Sequence, residues 1–309
     1  MTQNQSATVV TNEIANGDVI ITYKKAGDFV VCNLSSVNLP RTVEADVLER
    51  LIPIQVRMLD NVIDLNTIDV LQAQITNKKY RAIGLGTFGW AHLLAKKQIK
   101  WESEDAVKYC DGLYERIAFL AIKASAALAL EKGAYPAFEG SDWQTGEYFR
   151  QRYFGETGHY THTTPMWTVL AGLISETGIR NGYLMAVAPN MSTAKIGGST
   201  DGIDPIFKRE YSEEKKSYKI PVTAPDLSPE TFWFYKSAYD IDQTWSIRQN
   251  AARQRHVDQA ISFNLYVRSD IKAKDLLDLH ILAWESGLKS TYYTRSIDLK
   301  TETCDACAS

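Results

Sequence analysis

Stretches with helical spacing alternate along this chain with short runs of β-branched and aliphatic residues, and that alternation restricts its fold more than any other feature. From about Thr42 to Leu65, apolar residues recur at helical spacing at Val47, Leu48, Leu51, Ile52, Ile54, Val56, Leu59, Val62 and Ile63, which predicts a helix. A longer helix is expected from Ser103, an N-cap followed by Glu104 and Asp105, to Gly133. Thr164-Pro165 opens another that stops near Gly178. Further helical stretches are expected at about 229–240, 243–258 and 273–286. Tyr183–Ala188, Ile261–Val267 and, past Gly287, Lys289–Thr294 read as strands. Near the start, residues 18–23 and 28–34 bracket Lys24–Gly27 and read as a hairpin or successive short strands. The region 203–228 reads as an irregular excursion from the core. The pattern predicts an α/β fold with a largely parallel sheet.

Composition narrows the classes. With 309 residues and 45% hydrophobic content, the chain can bury a core as one large domain or two smaller ones. A net charge of −3 leaves no electrostatic footprint for nucleic acid or an anionic membrane. Four cysteines in so long a chain do not make a disulfide framework, so a reducing cytoplasm is the default location. The start, Met1 to Ser6, is polar and unlike a signal peptide, and no run approaches the roughly 20 apolar residues of a membrane span.

Gly84-Leu-Gly86-Thr-Phe-Gly89 matches the dinucleotide fingerprint, with Glu102 and Glu104 downstream. That fingerprint needs a buried strand feeding straight into the glycines. Here Asn77 to Arg81 precede them and cannot fill a central parallel strand. The glycines are read instead as permitting a tight backbone turn and close helix packing, and a nicotinamide oxidoreductase is kept as a remote alternative.

Four segments carry candidate chemistry. Cys32 lies on an apolar run, Val30 to Leu39, where a cysteine is more often an inert buried thiol. Pro189, Asn190, Met191, Ser192 and Thr193 follow a strand and turn into a helix, an arrangement whose N–H groups and hydroxyls bind phosphate. Tyr292 and Tyr293 stand together at a strand end, where alternation would commonly put one ring in the core and one on the surface. Cys304 and Cys307 sit three positions apart on a polar tail, suited to disulfide exchange or equally to an incidental metal-binding pair. Cys110, on the long helix, reads as a core thiol. The five histidines, His159 and His162 among them, form no recognisable metal set, and no metal is assigned to the chain.

Together with Arg81–Gly86, Gly202-Ile-Asp-Pro205 and Gln259–Asn264, these segments closely resemble the catalytic large subunit of class I ribonucleotide reductase, from about Val30 onward. The resemblance implies the second half of a ten-stranded α/β barrel made of two five-strand halves. Residues 1–29 would be an N-terminal extension and first strand region, 30–296 the half-barrel catalytic region, and 297–309 a flexible, disordered redox-active tail. It implies reduction of ribonucleoside diphosphates at the ribose 2′ position by thiyl-radical chemistry. Cys32 would be one of the two active-site thiols that end as a disulfide, and Pro189 to Thr193 would hold the substrate phosphates. Tyr292 and Tyr293 would relay a radical from the small subunit. Cys304 and Cys307 would reduce the active-site disulfide and be reduced in turn by thioredoxin or glutaredoxin. The metal-radical cofactor would belong to the small subunit, and this chain would carry none.

One departure matters. The family places an Asn-x-Cys-x-Glu loop carrying the radical cysteine shortly before the Cys32 strand, and residues 1–29 contain no cysteine. The expectation is a C-terminal half that works only with a separate N-terminal large-subunit chain carrying that cysteine. The start Met-Thr-Gln-Asn-Gln reads as a gene start, which favours a naturally split subunit of the kind known among phage reductases, acting in the host cytoplasm. A non-catalytic regulatory or relic half-subunit that docks on a reductase stays open as the competing class.

Overall fold

The computed structural model describes residues 8–15, 18–25, 27–31, 33–154, 164–215 and 218–297. Cys32, Cys304, Cys307, His159 and His162 therefore lie outside the described residues. Strands β1 (Thr8–Ala15) and β2 (Asp18–Lys25) form an antiparallel hairpin. The hairpin thus turns between Ala15 and Asp18 and takes in Lys24 and Lys25, and residues 28–31 are not strand. Strand β3 (Asn33–Asn38) then leads into α1 (Leu39–Glu44) and α2 (Leu48–Leu65). The single helix expected over 42–65 is broken because Asp46 takes φ +48°, a left-handed conformation that aspartate tolerates better than most residues. Helix α3 (Leu71–Tyr80) precedes β4 (Ile83–Phe88) and α4 (Trp90–Lys96).

Helix α5 (Glu104–Lys132) spans the interval predicted, with the Ser103 side chain accepting the Ala106 N–H and Gly133 at the far end with φ +83°. Its buried face is rich in alanine, which lets it lie close to the sheet, and Tyr114 shares a hydrogen bond with Thr87 of β4. Helices α6 (Asp142–Thr145), α7 (Glu147–Tyr153) and α8 (Thr164–Thr177) follow, then α9 (Met191–Ile196). The excursion is ordered as a hairpin, β5 (Glu210–Lys215) with β6 (Tyr218–Thr223), rather than irregular. The helix expected at 229–240 is absent. Phe232–Phe234 and Ala238–Asp240 are single 3₁₀ turns, and Ser237 between them is extended and bridges Ile206. A cluster of four aromatic residues, Phe232 to Tyr235, has low helix preference, and Tyr235 is buried with its hydroxyl donating to the Pro225 carbonyl at 2.6 Å. Helix α10 (Gln243–Gln254), β7 (Leu265–Arg268), α11 (Ala273–Glu285) and β8 (Thr294–Ile297) complete the order.

The parallel sheet is wider than its named strands. β3 pairs parallel with β4, and Leu85 of β4 bridges Met185 in parallel. Val187 bridges Ile261 in the same sense, and β7, on the same run of chain, pairs parallel with β8. Five parallel segments therefore lie side by side, with the chain crossing back through helices each time. Successive side chains alternate between faces. Thr87 meets Tyr114 on the helix-covered face, while Gly86 and Ser36 share the other. This is an open half-barrel, and no closed barrel forms among the described residues.

Glycine explains the rejected fingerprint. Gly84 and Gly86 lie within buried β4 instead of in a strand-to-helix turn, and a Cβ on Gly86 would meet the neighbouring strand. The wholly buried β4 is a central strand that carries two weak strand formers, Gly84 and Gly86, among Ile83, Thr87 and Phe88, and Gly86 is tolerated because the adjacent backbone needs the space.

Candidate active site

The uncovered face of the half-barrel gathers the candidate segments that the structure describes. Asn190 is the N-cap of α9, and its side chain donates to Ser36 Oγ of β3 at 3.0 Å and to the Ala188 carbonyl at 2.8 Å. At the other end of α9, Asn38 Nδ2 donates to the Gly197 carbonyl at 3.0 Å. The phosphate-loop candidate is thus tied at both ends to β3, the strand that begins immediately after position 32. Met191, Ser192 and Thr193 are exposed, and the N–H groups of a first helical turn have no acceptor within the helix.

Tyr292 and Tyr293 are held by the next run of sheet. The Tyr292 N–H donates to the Phe263 carbonyl at 2.7 Å, and the Leu265 N–H donates to the Tyr293 carbonyl at 2.9 Å. Val187 is in register with Ile261, two residues before Phe263, so the tyrosine pair is level with the chain just past Ala188. Both rings are about half exposed, at 46% and 51%, with centroids 4.0 Å apart and planes inclined at 50°. Alternation into one buried and one surface ring does not occur, because the pair precedes β8 and is not part of it. The Tyr292 phenol is pushed up, chiefly by its hydrogen bond with Tyr293.

A cavity of about 600 Å³ opens beside the α9 loop, lined among others by Asn190, Lys195, Asp204, Asn264 and Arg295. Asp204 Oδ2 accepts from Asn264 Nδ2 and, at 3.1 Å, from the Tyr266 hydroxyl. Burial pushes the Asp204 carboxyl up to about 6, against the pull of those hydrogen bonds and of Arg295. Its Oδ1 and the Arg295 Nε are buried without hydrogen-bond partners. Arg295 also stacks near Tyr293, with its guanidinium carbon 5.3 Å from the ring centroid. Asp204 and Asn264 lie inside the Gly202–Pro205 and Gln259–Asn264 motifs and Arg295 two residues past Tyr293, but nothing local in these segments marks the three as one cluster. The wall of the cavity beyond them is fixed by His92, whose Nδ1 and Nε2 are each 3.0 Å from Ser199 Oγ and Asp226 Oδ2.

Cys110 is fully buried on α5, and its thiol donates to the Gln249 carbonyl at 3.3 Å. Burial pushes it up to about 11, so it stays a neutral core thiol away from the cavity. Among the described residues no group of His, Cys, Asp and Glu could hold a metal ion, and no helix is long and apolar enough to cross a membrane.

Comparison with known proteins identifies the family. The family model described as "Ribonucleotide reductase, barrel domain" matches residues 19–294. The ribonucleoside-diphosphate reductase subunit alpha of Treponema pallidum is 46% identical over 99% of this chain and 36% of its own length. The subunit of the same name from Helicobacter pylori is 41% identical over 96% of this chain and 39% of its own length. That from Chlamydia trachomatis is 32% identical over 88% and 30% respectively. The chain thus spans about a third of the length of these relatives, matching their C-terminal part. A parallel half-barrel with its loop and tyrosine pair on one face, matched over nearly its whole length, belongs to the ribonucleotide reductase barrel-domain family.

Proposed function

We propose that this chain is the C-terminal catalytic part of a class I ribonucleoside-diphosphate reductase large subunit. The observation that carries the reading is the convergence on one face of the α9 loop, pinned to β3, and the Tyr292–Tyr293 pair, pinned beside Asn264. The substrate is a ribonucleoside diphosphate, whose phosphates the α9 N–H groups and the Ser192 and Thr193 hydroxyls receive. Tyr292 and Tyr293 pass a radical inward from a small subunit that bears the metal-radical cofactor. Exposed Leu277, Ile281 and Trp284 form a stripe at helical spacing on α11, which leads directly to the tyrosines and offers that subunit an apolar seat.

The thiyl cysteine comes from outside these 309 residues and takes the 3′ hydrogen of the ribose. The 2′ C–O bond then breaks, the hydroxyl leaves as water and a C–H bond replaces it. Cys32 and a second thiol supply the two electrons and end as a disulfide, and the 3′ hydrogen returns. Cys304 and Cys307 exchange with that disulfide and are restored by thioredoxin or glutaredoxin.

The test is diphosphate reduction by this chain mixed with the rest of the large subunit, the small subunit and a dithiol. Activity in the full mixture and its loss in Cys32→Ser are the expected results. An assembled mixture without activity, with assembly checked by sedimentation, overturns the catalytic reading in favour of a regulatory one.

A further inference from the structure

One amide connects the tyrosine pair to the cavity. The Tyr293 N–H donates to Asn264 Oδ1 at 3.1 Å, and Nδ2 of the same side chain donates to Asp204 Oδ2. The flanking bonds, Tyr292 N–H to the Phe263 carbonyl and Leu265 N–H to the Tyr293 carbonyl, are backbone to backbone. Tyr293 N–H alone of these three is received by a side chain. An asparagine amide can turn either end toward a neighbour, and only its oxygen can accept from an N–H. A carboxylate accepts and cannot donate, so Asp204 draws the NH₂ end to itself and leaves the oxygen for Tyr293. Asp204 is anchored in its turn, since it accepts from the Tyr266 hydroxyl and follows the buried Ile203.

We infer that Asp204 and Asn264 form a positioning couple for Tyr293, with Asp204 setting the sense of the Asn264 amide and the amide holding the backbone that carries both phenols. The inference rests on the radical-relay role proposed above and deepens it. Neither residue reacts. The couple holds the two rings in contact, and transfer between two groups is lost steeply when their separation changes by as little as about 1 Å.

Asn264→Asp tests the couple because it sets two carboxyls in hydrogen-bond contact. While they share one proton the original bonding persists, and when both ionise they repel. Arg295 of β8, Tyr266 of β7 and Arg253 of α10 act on Asp204, Lys195, Lys208, Tyr211 and Asp226 line the same cavity, and all of them stay constant across the variants. In the reconstituted reductase, turnover of Asn264→Asp relative to wild type falls about tenfold or more between about pH 6 and pH 8. Adding Asp204→Asn reverses the polarity. The amide now at position 204 donates to the carboxylate now at position 264, and that carboxylate still accepts from the Tyr293 N–H. The double variant recovers most of the loss at the higher pH.

A flat relative profile for Asn264→Asp, or a double variant no better than the single one, overturns the couple. So does a loss of turnover matched by loss of folded protein at the assay temperature, measured by thermal unfolding at the same pH. Tyr293→Phe in the same assay separates the two levels. Full activity there removes the relay itself, whereas an inactive Tyr293→Phe beside a wild-type-like Asn264→Asp removes only the couple.

Discussion

A β-carbon on Gly86 would fall 2.4 Å from the carbonyl oxygen of Ala186 on the adjacent strand. Neither partner can give way easily, because both atoms belong to the central sheet and Val187 Cα stands 3.3 Å from the same point. Gly86→Ala is therefore expected to destabilise the chain by about 1–3 kcal/mol, measured by urea unfolding. It should also weaken nucleoside-diphosphate binding, since the displaced strand runs directly into Pro189 and the α9 loop. Gly112→Ala, on α5 with nothing within 4 Å of its added carbon, is the control and should be neutral or stabilising.

Two buried groups make stability depend on pH in opposite senses. Burial lowers the His92 imidazole below its ordinary value, despite the nearby Asp226 carboxylate. The unfolded chain then binds the proton more readily, so stability is present above about pH 6.5 and is lost as pH falls below it. Asp204 is raised from 3.8 to about 6, so its contribution is present below 3.8 and lost as pH rises toward 6. Equilibrium unfolding across pH 4–7 should therefore tilt oppositely in two variants. His92→Gln removes part of the fall on the acid side, and Asp204→Asn gains stability relative to wild type as pH rises to 6 and beyond. Parallel curves for wild type and both variants would refute the assignment.

The legible parts of this fold are those whose signals are local. Ser103 and Gly133 bound α5 as capping residues do, and α8 begins at Thr164 and ends just before Gly178, whose φ of +86° matches a stop. The apolar run 183–188 is extended in the sheet as expected, though bridged rather than continuous. What stayed hidden depends on distant partners. β4 does not read as a strand because its glycines serve the strand beside it. The break at Asp46 lies inside an unbroken apolar period. The Asp204–Asn264 contact spans 60 positions, so the two motifs containing those residues carry no mark of each other. The tyrosine pair is visible as a dipeptide, but the exposure of both rings follows from β8 starting only at Thr294.

Beneath the sheet, Asp60 is fully buried and carries an unequal set of cations. Arg81 Nη2 lies 2.8 Å from Asp60 Oδ1 and 2.8 Å from Asp64 Oδ2, while Arg180 Nε reaches Asp60 at 3.3 Å. Asn181 Nδ2 donates to the same oxygen at 3.2 Å. Removing the buried carboxylate takes the nearest anion from Arg180 and leaves Arg81 with Asp64 alone, both guanidinium groups having little access to water. Asp60→Ala is expected to cost about 3–5 kcal/mol. Asp64 is half exposed, and Asp64→Ala should cost about 1 kcal/mol or less. Equal losses in urea unfolding would show that burial does not separate the two carboxylates.

The tail and the tyrosines act on different steps of the proposed cycle, so their variants should fail differently. Phenylalanine has no oxidisable O–H, and Tyr293→Phe or Tyr292→Phe should abolish turnover with any reductant while diphosphate binding persists. Cys304→Ser with Cys307→Ser leaves the relay and Cys32 untouched, and removes only the thiols that carry electrons from a protein reductant to the active-site disulfide. That double variant should lose most thioredoxin-driven turnover and keep activity with a small dithiol that diffuses into the cavity. The first turnover of pre-reduced enzyme should also survive, because it consumes only the Cys32 pair. If the small dithiol fails as completely as thioredoxin, the tail cysteines serve the fold or the chemistry itself and not the delivery of electrons.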